Sequence, residues 1–173
     1  MDELNNLLTE TEWTEINLKD KKKTVDTLLD MLIMAYMLGV ADVRKSLNED
    51  IAVDRKQMEE SIYRKIDGKD WTERIYDAET IPDIERIART EGNRVFSEGQ
   101  ENTAIKGGAT EKIWNTMMDD RVRDSHWYLE GDVKPIDDWF YTLAGERAKH
   151  PMGFGVPEED CNCRCWLTYR KRG

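Results

Sequence analysis

The chain has 173 residues, with 26 Lys and Arg against 36 Asp and Glu, a net charge of −10 and 36% charged side chains. That length holds one ordinary domain, or one domain with a helical arm, and needs neither metal nor disulfide to fold. The acidic balance argues against a general nucleic-acid binder and against an anionic membrane surface as partner, and 9% aromatic residues with 6 Trp argue against disorder.

The charge is unevenly placed. Residues 1–15 hold Asp2, Glu3, Glu10, Glu12 and Glu15 and no Lys or Arg, whereas residues 161–173 hold Arg164, Arg170, Lys171 and Arg172 and no acid. Lys19, Lys21, Lys22 and Lys23 form another basic cluster. The tail Arg170-Lys171-Arg172 and this cluster are the places where a local DNA contact is expected. The start, Met1-Asp2-Glu3-Leu4, lacks the basic and apolar stretches of a secretory signal, so a reducing cytoplasm and free cysteines are expected.

In chain order, the first long element is a helix over Lys21–Leu47, where Val25, Leu28, Leu29, Leu32, Ala35, Tyr36, Val40 and Val43 recur at helical spacing. Its most apolar stretch, 28–41, contains Asp30 and Gly39 and falls short of the roughly 20 residues of a membrane span, so a buried helix is expected. Met31, Met34 and Met37 on it suit either a core or an adaptable docking surface. A weaker helix follows over Asp54–Ile66 and stops at Gly68. Asp70 can cap a short helix through Ala78. Thr80, with Pro82 in the first turn, can cap a further one running to about Gln100. Gly107-Gly108 then breaks the chain.

Aromatic residues and prolines concentrate after this break. A strand is expected over Glu111–Met118, then a helix capped by Asp119 or Asp120, running through Glu130 and ended by Gly131. Val133–Tyr141 reads as short extended or turn structure, Lys149–Asp160 as a loop, and Cys163–Arg170 as a final strand. The expected fold class is α+β. A helical N-terminal arm or bundle (1–80) precedes a small module of short antiparallel strands and one helix (81–173), and the 82–100 helix links them.

Three features could carry chemistry. In a strand, Cys161, Cys163 and Cys165 share one face with Leu167 and Tyr169. They are either small buried residues or zinc ligands, with His126 or His150 completing the set, although structural zinc sites usually space their cysteines by two to four residues. His126 shares a helix face with Val122 and Leu129, as a core histidine or as a base or ligand. Glu91 falls inside the apolar stripe Ile84, Ala88 and Val95, so it needs a cationic partner. Arg121, Arg123 and His126 are expected to supply one and so pin the helix to the C-terminal module; the sharper alternative is a catalytic carboxylate. Asp119–Asp124 is either a phosphate or metal site or a turn rich in caps. No phosphate-binding glycine loop, dinucleotide fingerprint, HExxH or nucleophile elbow is present.

The ordered set Ile87-Ala88-Arg89-Thr90-Glu91, Lys112-Ile113-Trp114-Asn115-Thr116, Asp120-Arg121-Val122-Arg123-Asp124-Ser125-His126, Gly131, Phe140, Pro157 and Asn162-Cys163-Arg164-Cys165 closely resembles the Mu F-like minor head protein family of tailed phages and prophages. The resemblance covers about residues 85–169. It implies a non-enzymatic head morphogenesis or minor capsid protein inside the virion, made in the bacterial host cytoplasm. Its implied partners are the portal and capsid or scaffolding proteins, with at most weak DNA contact and no membrane. The family's motif positions here are Arg89, Glu91, Trp114, Asp120, Arg121, Arg123, Gly131, His126, Cys163 and Cys165, with a mostly architectural role. No cofactor is expected; zinc at His126, Cys161, Cys163 and Cys165 is the open option. Some relatives carry a toxin or nuclease domain after the module, and the end at Arg170-Lys171-Arg172-Gly173 leads to the expectation that none follows. The alternative is a phage-delivered effector or metal-dependent enzyme, a nuclease or transferase, using His126, Glu91 and the cysteines.

Overall fold

The computed structural model describes residues 2–10 and 16–172. Glu12, Glu15 and Gly173 lie outside the described residues, as do Met1 and Trp13. The order is α1 (Asp2–Glu10), α2 (Lys21–Leu47), α3 (Arg55–Ile62), α4 (Trp71–Asp77), α5 (Ile81–Lys106), β1 (Glu111–Thr116), α6 (Asp124–Trp127), β2 (Val133–Pro135), β3 (Phe140–Tyr141), β4 (Arg147–Ala148), α7 (Pro157–Asp160) and β5 (Cys165–Arg170). The fold is α+β: helices first, then short antiparallel strands.

Side-chain caps set most helix starts. The Asp20 carboxylate accepts from the Lys23 amide ahead of α2, and Asp54 accepts from Lys56 and Gln57 ahead of α3. Asp70 and Glu73 form a reciprocal capping box on α4, and Thr80 accepts from Asp83 on α5. Helix α2 ends where Asn48 takes a left-handed conformation, φ 54°. At 27 residues it is long and apolar enough to cross a membrane by length and composition alone. Its apolar face is covered by protein instead: Leu28, Leu32, Ala35, Tyr36 and Val40 are buried. Met31 is buried with them, while Met34 and Met37 are exposed, so the methionine set divides between core and surface.

Helix α5 runs to Lys106, past the expected end near Gln100. Residues 94–101 are all buried. Most are polar, so no apolar stripe announced the last turns; neighbouring elements supply the packing and the partners instead. Helices α2 and α5 share the largest contact between elements. The crossing is set by glycines. A Cβ on Gly39 would lie 2.2 Å from the Phe96 carbonyl oxygen, and one on Gly99 would lie 2.5 Å from the Tyr36 carbonyl oxygen. Each helix thus rests on the other's backbone.

Two cores share these helices. The first joins Leu4 and Leu8 of α1, the central face of α2, Ile62, Trp71 and Ile75, and Ile84, Ala88, Val95 and Phe96 of α5. The second joins Val43 at the end of α2 and Ala104 at the end of α5 to Trp114, Phe140, Leu167 and Tyr169. Strand β1 is central in the antiparallel sheet β2-β1-β5. Its register pairs Lys112 with Tyr169, Trp114 with Leu167 and Thr116 with Cys165. These six residues are all buried, as period-two alternation requires of one sheet face. Strands β3 and β4 form a separate hairpin.

The helix expected from Asp119 or Asp120 through Glu130 is reduced to one turn, α6. Asp119 closes a local turn through its side chain to the Arg121 amide (3.1 Å) and its carbonyl to the Val122 amide (3.1 Å). Arg123 is then extended, φ −64° and ψ 145°, and helical backbone starts after it. Gly131, φ 73°, closes the segment as anticipated, its amide donating to the Trp114 carbonyl.

An exposed helical Gly→Ala change normally gains up to about 1 kcal/mol. At Gly39 and Gly99 the added methyl meets backbone, and Gly99→Ala is expected to cost about 1–3 kcal/mol. Thermal unfolding followed by circular dichroism reads the sign; an unchanged or raised midpoint contradicts the close crossing.

Candidate functional site

Glu91 sits on α5 with 1% of its side chain exposed. Its cationic partners are Arg74 of α4 and Arg94 of α5 itself, not Arg121, Arg123 or His126. The expected clamp to the C-terminal module is therefore corrected: the pairing ties α5 to α4. Arg94 continues the chain of charges. It donates to Glu98 Oε1 (2.7 Å) and to the Ser61 carbonyl of α3 (2.9 Å), and Arg64 reaches the same Glu98 oxygen at 2.7 Å. Burial pulls the Arg94 pKa down, but Glu91 and Glu98 outweigh it and hold it above the ordinary value. Burial likewise pushes Glu98 up, and Arg94 outweighs that, leaving Glu98 below the usual carboxylate range. Five side chains from α4, α5 and the segment between α3 and α4 form one alternating row of charge.

A different set meets in the second core. His126 Nδ1 lies 3.5 Å from Cys163 Sγ and 3.4 Å from Cys165 Sγ, and all three residues are buried. The other ring nitrogen, Nε2, is 2.9 Å from Glu159 Oε2, although the pair is not aligned as a hydrogen bond. Ser125 Oγ donates to that same oxygen at 2.8 Å and holds it in place. Phe154 stacks on the imidazole at 5.4 Å between centroids, and Trp114 meets it edge-on at 5.8 Å. The Cys163 thiol is pushed well up, first by its hydrogen bond to Cys165 and then by burial; the same hydrogen bond pulls Cys165 down.

Cys161 does not join this group. It caps α7, and Asn162 in the left-handed region, φ 57°, turns the chain before the strand begins at Cys165. The three-cysteine face expected of a continuous strand therefore reduces to Cys163 and Cys165. The Cys161 carbonyl instead accepts from the Arg123 guanidinium, which fixes the turn beside the pair. Among the described residues, the partners of Glu91 are Arg74 and Arg94, whereas those of His126 are Cys163, Cys165 and Glu159.

Other motif positions line a cleft of about 520 Å³. Arg89 of α5, exposed Arg121, Arg164 and Asn162 surround it, and Cys163 forms part of its wall. Arg164 is paired with Asp119 at 2.7 Å. Asp120 is exposed beside it. The basic tail is paired with acids: Arg170 and Arg172 with Glu111, and Lys171 with Glu49. In the other basic cluster, Lys21 donates to the Tyr76 and Ala78 carbonyls at the end of α4.

The residues missed from sequence are Glu159, Arg94 and Lys112. Lys112 has no exposed side-chain surface, donates to the Lys149 carbonyl at 2.8 Å, and lies 3.5 Å from Glu101. Burial pulls its pKa below the ordinary lysine value against the opposing pull of Glu101. His150, also buried, is 3.8 Å from the same carboxylate. The available signals were a lysine at an inward strand position and an acid triplet, Glu158-Glu159-Asp160, just before the cysteines.

These buried pairings fall within a known protein class. The family model described as Phage Mu protein F like protein matches residues 53–168, and the chain belongs to that family. The match begins upstream of residue 85, where the sequence motifs start, and takes in α3 and α4, which supply Ser61 and Arg74 to the row of charge. The chain is 36% identical over 85 residues to minor head protein GP7 of Bacillus phage SPP1, covering 47% of this chain and 28% of that protein. It is 40% identical over 84 residues to the NAD(+)–arginine ADP-ribosyltransferase EFV of Enterococcus faecalis (strain ATCC 700802 / V583), covering 46% of this chain and 17% of that protein. The chain thus spans under a third of the length of these curated relatives. No solved structure matches it.

Breaking one partner of a buried pair leaves an uncompensated charge. Glu91→Met is expected to cost about 3–5 kcal/mol in urea unfolding. The double change Glu91→Met with Arg94→Met should cost less than the sum of the two single changes, because Arg74 can turn to solvent and Glu98 keeps Arg64. Additive losses would show that the row is not an energetic unit.

Proposed function

We propose that this chain is a non-enzymatic minor component of a tailed-phage or prophage head, bound to the portal and to capsid or scaffolding proteins inside the virion. Family membership and the likeness to a minor head protein support this reading. The observation that carries it is where the motif side chains go. Glu91 is held between Arg74 and Arg94, Arg123 holds the Cys161 carbonyl, and Trp114, His126, Cys163 and Cys165 are buried in the second core. Residues used this way hold the module in shape, as befits a docking component.

A docking component also needs an outward face. Tyr128 is 71% exposed and Leu143 65%, and with Trp127 they line an open hollow on the module. Apolar side chains so exposed suit a protein partner, and the chain's net charge of −10 disfavours DNA there. Assistance to DNA packaging or delivery would then come through the portal. Direct DNA contact at Arg170, Lys171 and Arg172 would require opening their pairs with Glu111 and Glu49.

The test is incorporation. A tagged chain should co-sediment with procapsids and mature heads after induction of its phage. Tyr128→Ser combined with Leu143→Ser should reduce incorporation at least about tenfold, roughly 1.4 kcal/mol of binding, with the thermal midpoint unchanged. Absence of the unmodified chain from both particles would overturn the assignment.

A further inference from the structure

We propose that Cys163, Cys165 and His126 Nδ1 form a zinc site that fastens α6 to the start of β5. The argument begins with a lone pair. Glu159 faces Nε2 at 2.9 Å, so the proton of a neutral imidazole belongs on Nε2, and Nδ1 presents one lone pair. Two thiols approach that lone pair at nearly equal distances, 3.5 and 3.4 Å. That lone pair accepts from one S–H at a time, and the other thiol is left with its neighbour's sulfur. A cation on the axis of that lone pair serves both sulfurs at once.

The distances fit. Zinc bonded tetrahedrally at about 2.3 Å to sulfur and about 2.0–2.1 Å to nitrogen sets N···S edges of about 3.5 Å. The surroundings fit as well. Thiolates need donors and positive charge nearby. The buried Trp114 indole N–H, which makes no hydrogen bond to oxygen or nitrogen among the described residues, lies against Cys165, and Arg123 is close enough to act on the same sulfur. Ser125 holds the Glu159 carboxylate 2.9 Å from the distal imidazole nitrogen, on the side where carboxylates commonly stand behind zinc-bound histidines. Aromatic rings flank the imidazole on two sides. Three protein ligands leave one position of a tetrahedral zinc to a further ligand, and Cys163 borders the cleft.

Cys161 is the internal control, because its thiol stands outside the group. The full chain, purified without chelator, loaded with zinc and dialysed, should retain about one zinc per chain. Cobalt(II) in its place should give a sulfur-to-metal charge-transfer band in the near ultraviolet. Cys161→Ser should keep both the metal and the band; Cys163→Ser and Cys165→Ser should lose them. Chelation should lower the thermal midpoint of the unmodified chain by at least about 5 °C. Less than about a tenth of a zinc per chain with no cobalt band would overturn the site. Equal loss in Cys161→Ser would overturn the ligand assignment. The unmodified chain and Cys161→Ser decide the matter even if the other variants fail to fold.

Discussion

The contact on which the rest of this protein depends is the crossing of α2 and α5 at Gly39 and Gly99. Each glycine lets its helix approach the partner's carbonyl oxygens at distances no side chain tolerates. Because the helices meet backbone to backbone, α5 is enclosed along its middle, and both cores form along one shaft. The upper part of α5 gives Ile84, Ala88 and Val95 to the first core, and its end gives Ala104 to the second. Gln100 reinforces the crossing by donating to Asp42 of α2 and to the Leu167 carbonyl of β5.

Enclosure explains the charges on α5. A charge buried on an enclosed helix needs an opposite charge and hydrogen bonds, and Arg94, Glu98 and Glu91 supply these to one another. Such a row adds little net stability compared with an apolar core, but it ties α3 and α4 to α5 through Ser61 and Arg74. The family match, from residue 53, takes in both of those helices.

Much of the helical half was legible because its starts are written in local chemistry. Asp70 and Thr80 cap the helices expected of them, and Asp20 and Asp54 cap the two before. The last turns of α5 were not legible, because their burial rests on partners far along the chain. The segment after β1 differs for a related reason: Asp119 can cap a helix or close a turn, and here it closes a turn, with Arg123 held at the distant Cys161 carbonyl. At the candidate site, His126, Cys163 and Cys165 were identifiable as residue types with suitable chemistry. The exclusion of Cys161 depends on one left-handed residue, Asn162, and the approach of Glu159 depends on a one-turn helix folded back over α6. Neither leaves a periodic trace in the sequence.

The helical region and the strand-bearing module are therefore two cores on one shaft. Native-state hydrogen exchange tests this most directly. If α5 unites the cores, the slowest amides of α2, of residues 92–104, and of β1 and β5 will share one opening free energy equal to that of global unfolding. Protection of β1 and β5 that persists while the α2 amides exchange freely would contradict it.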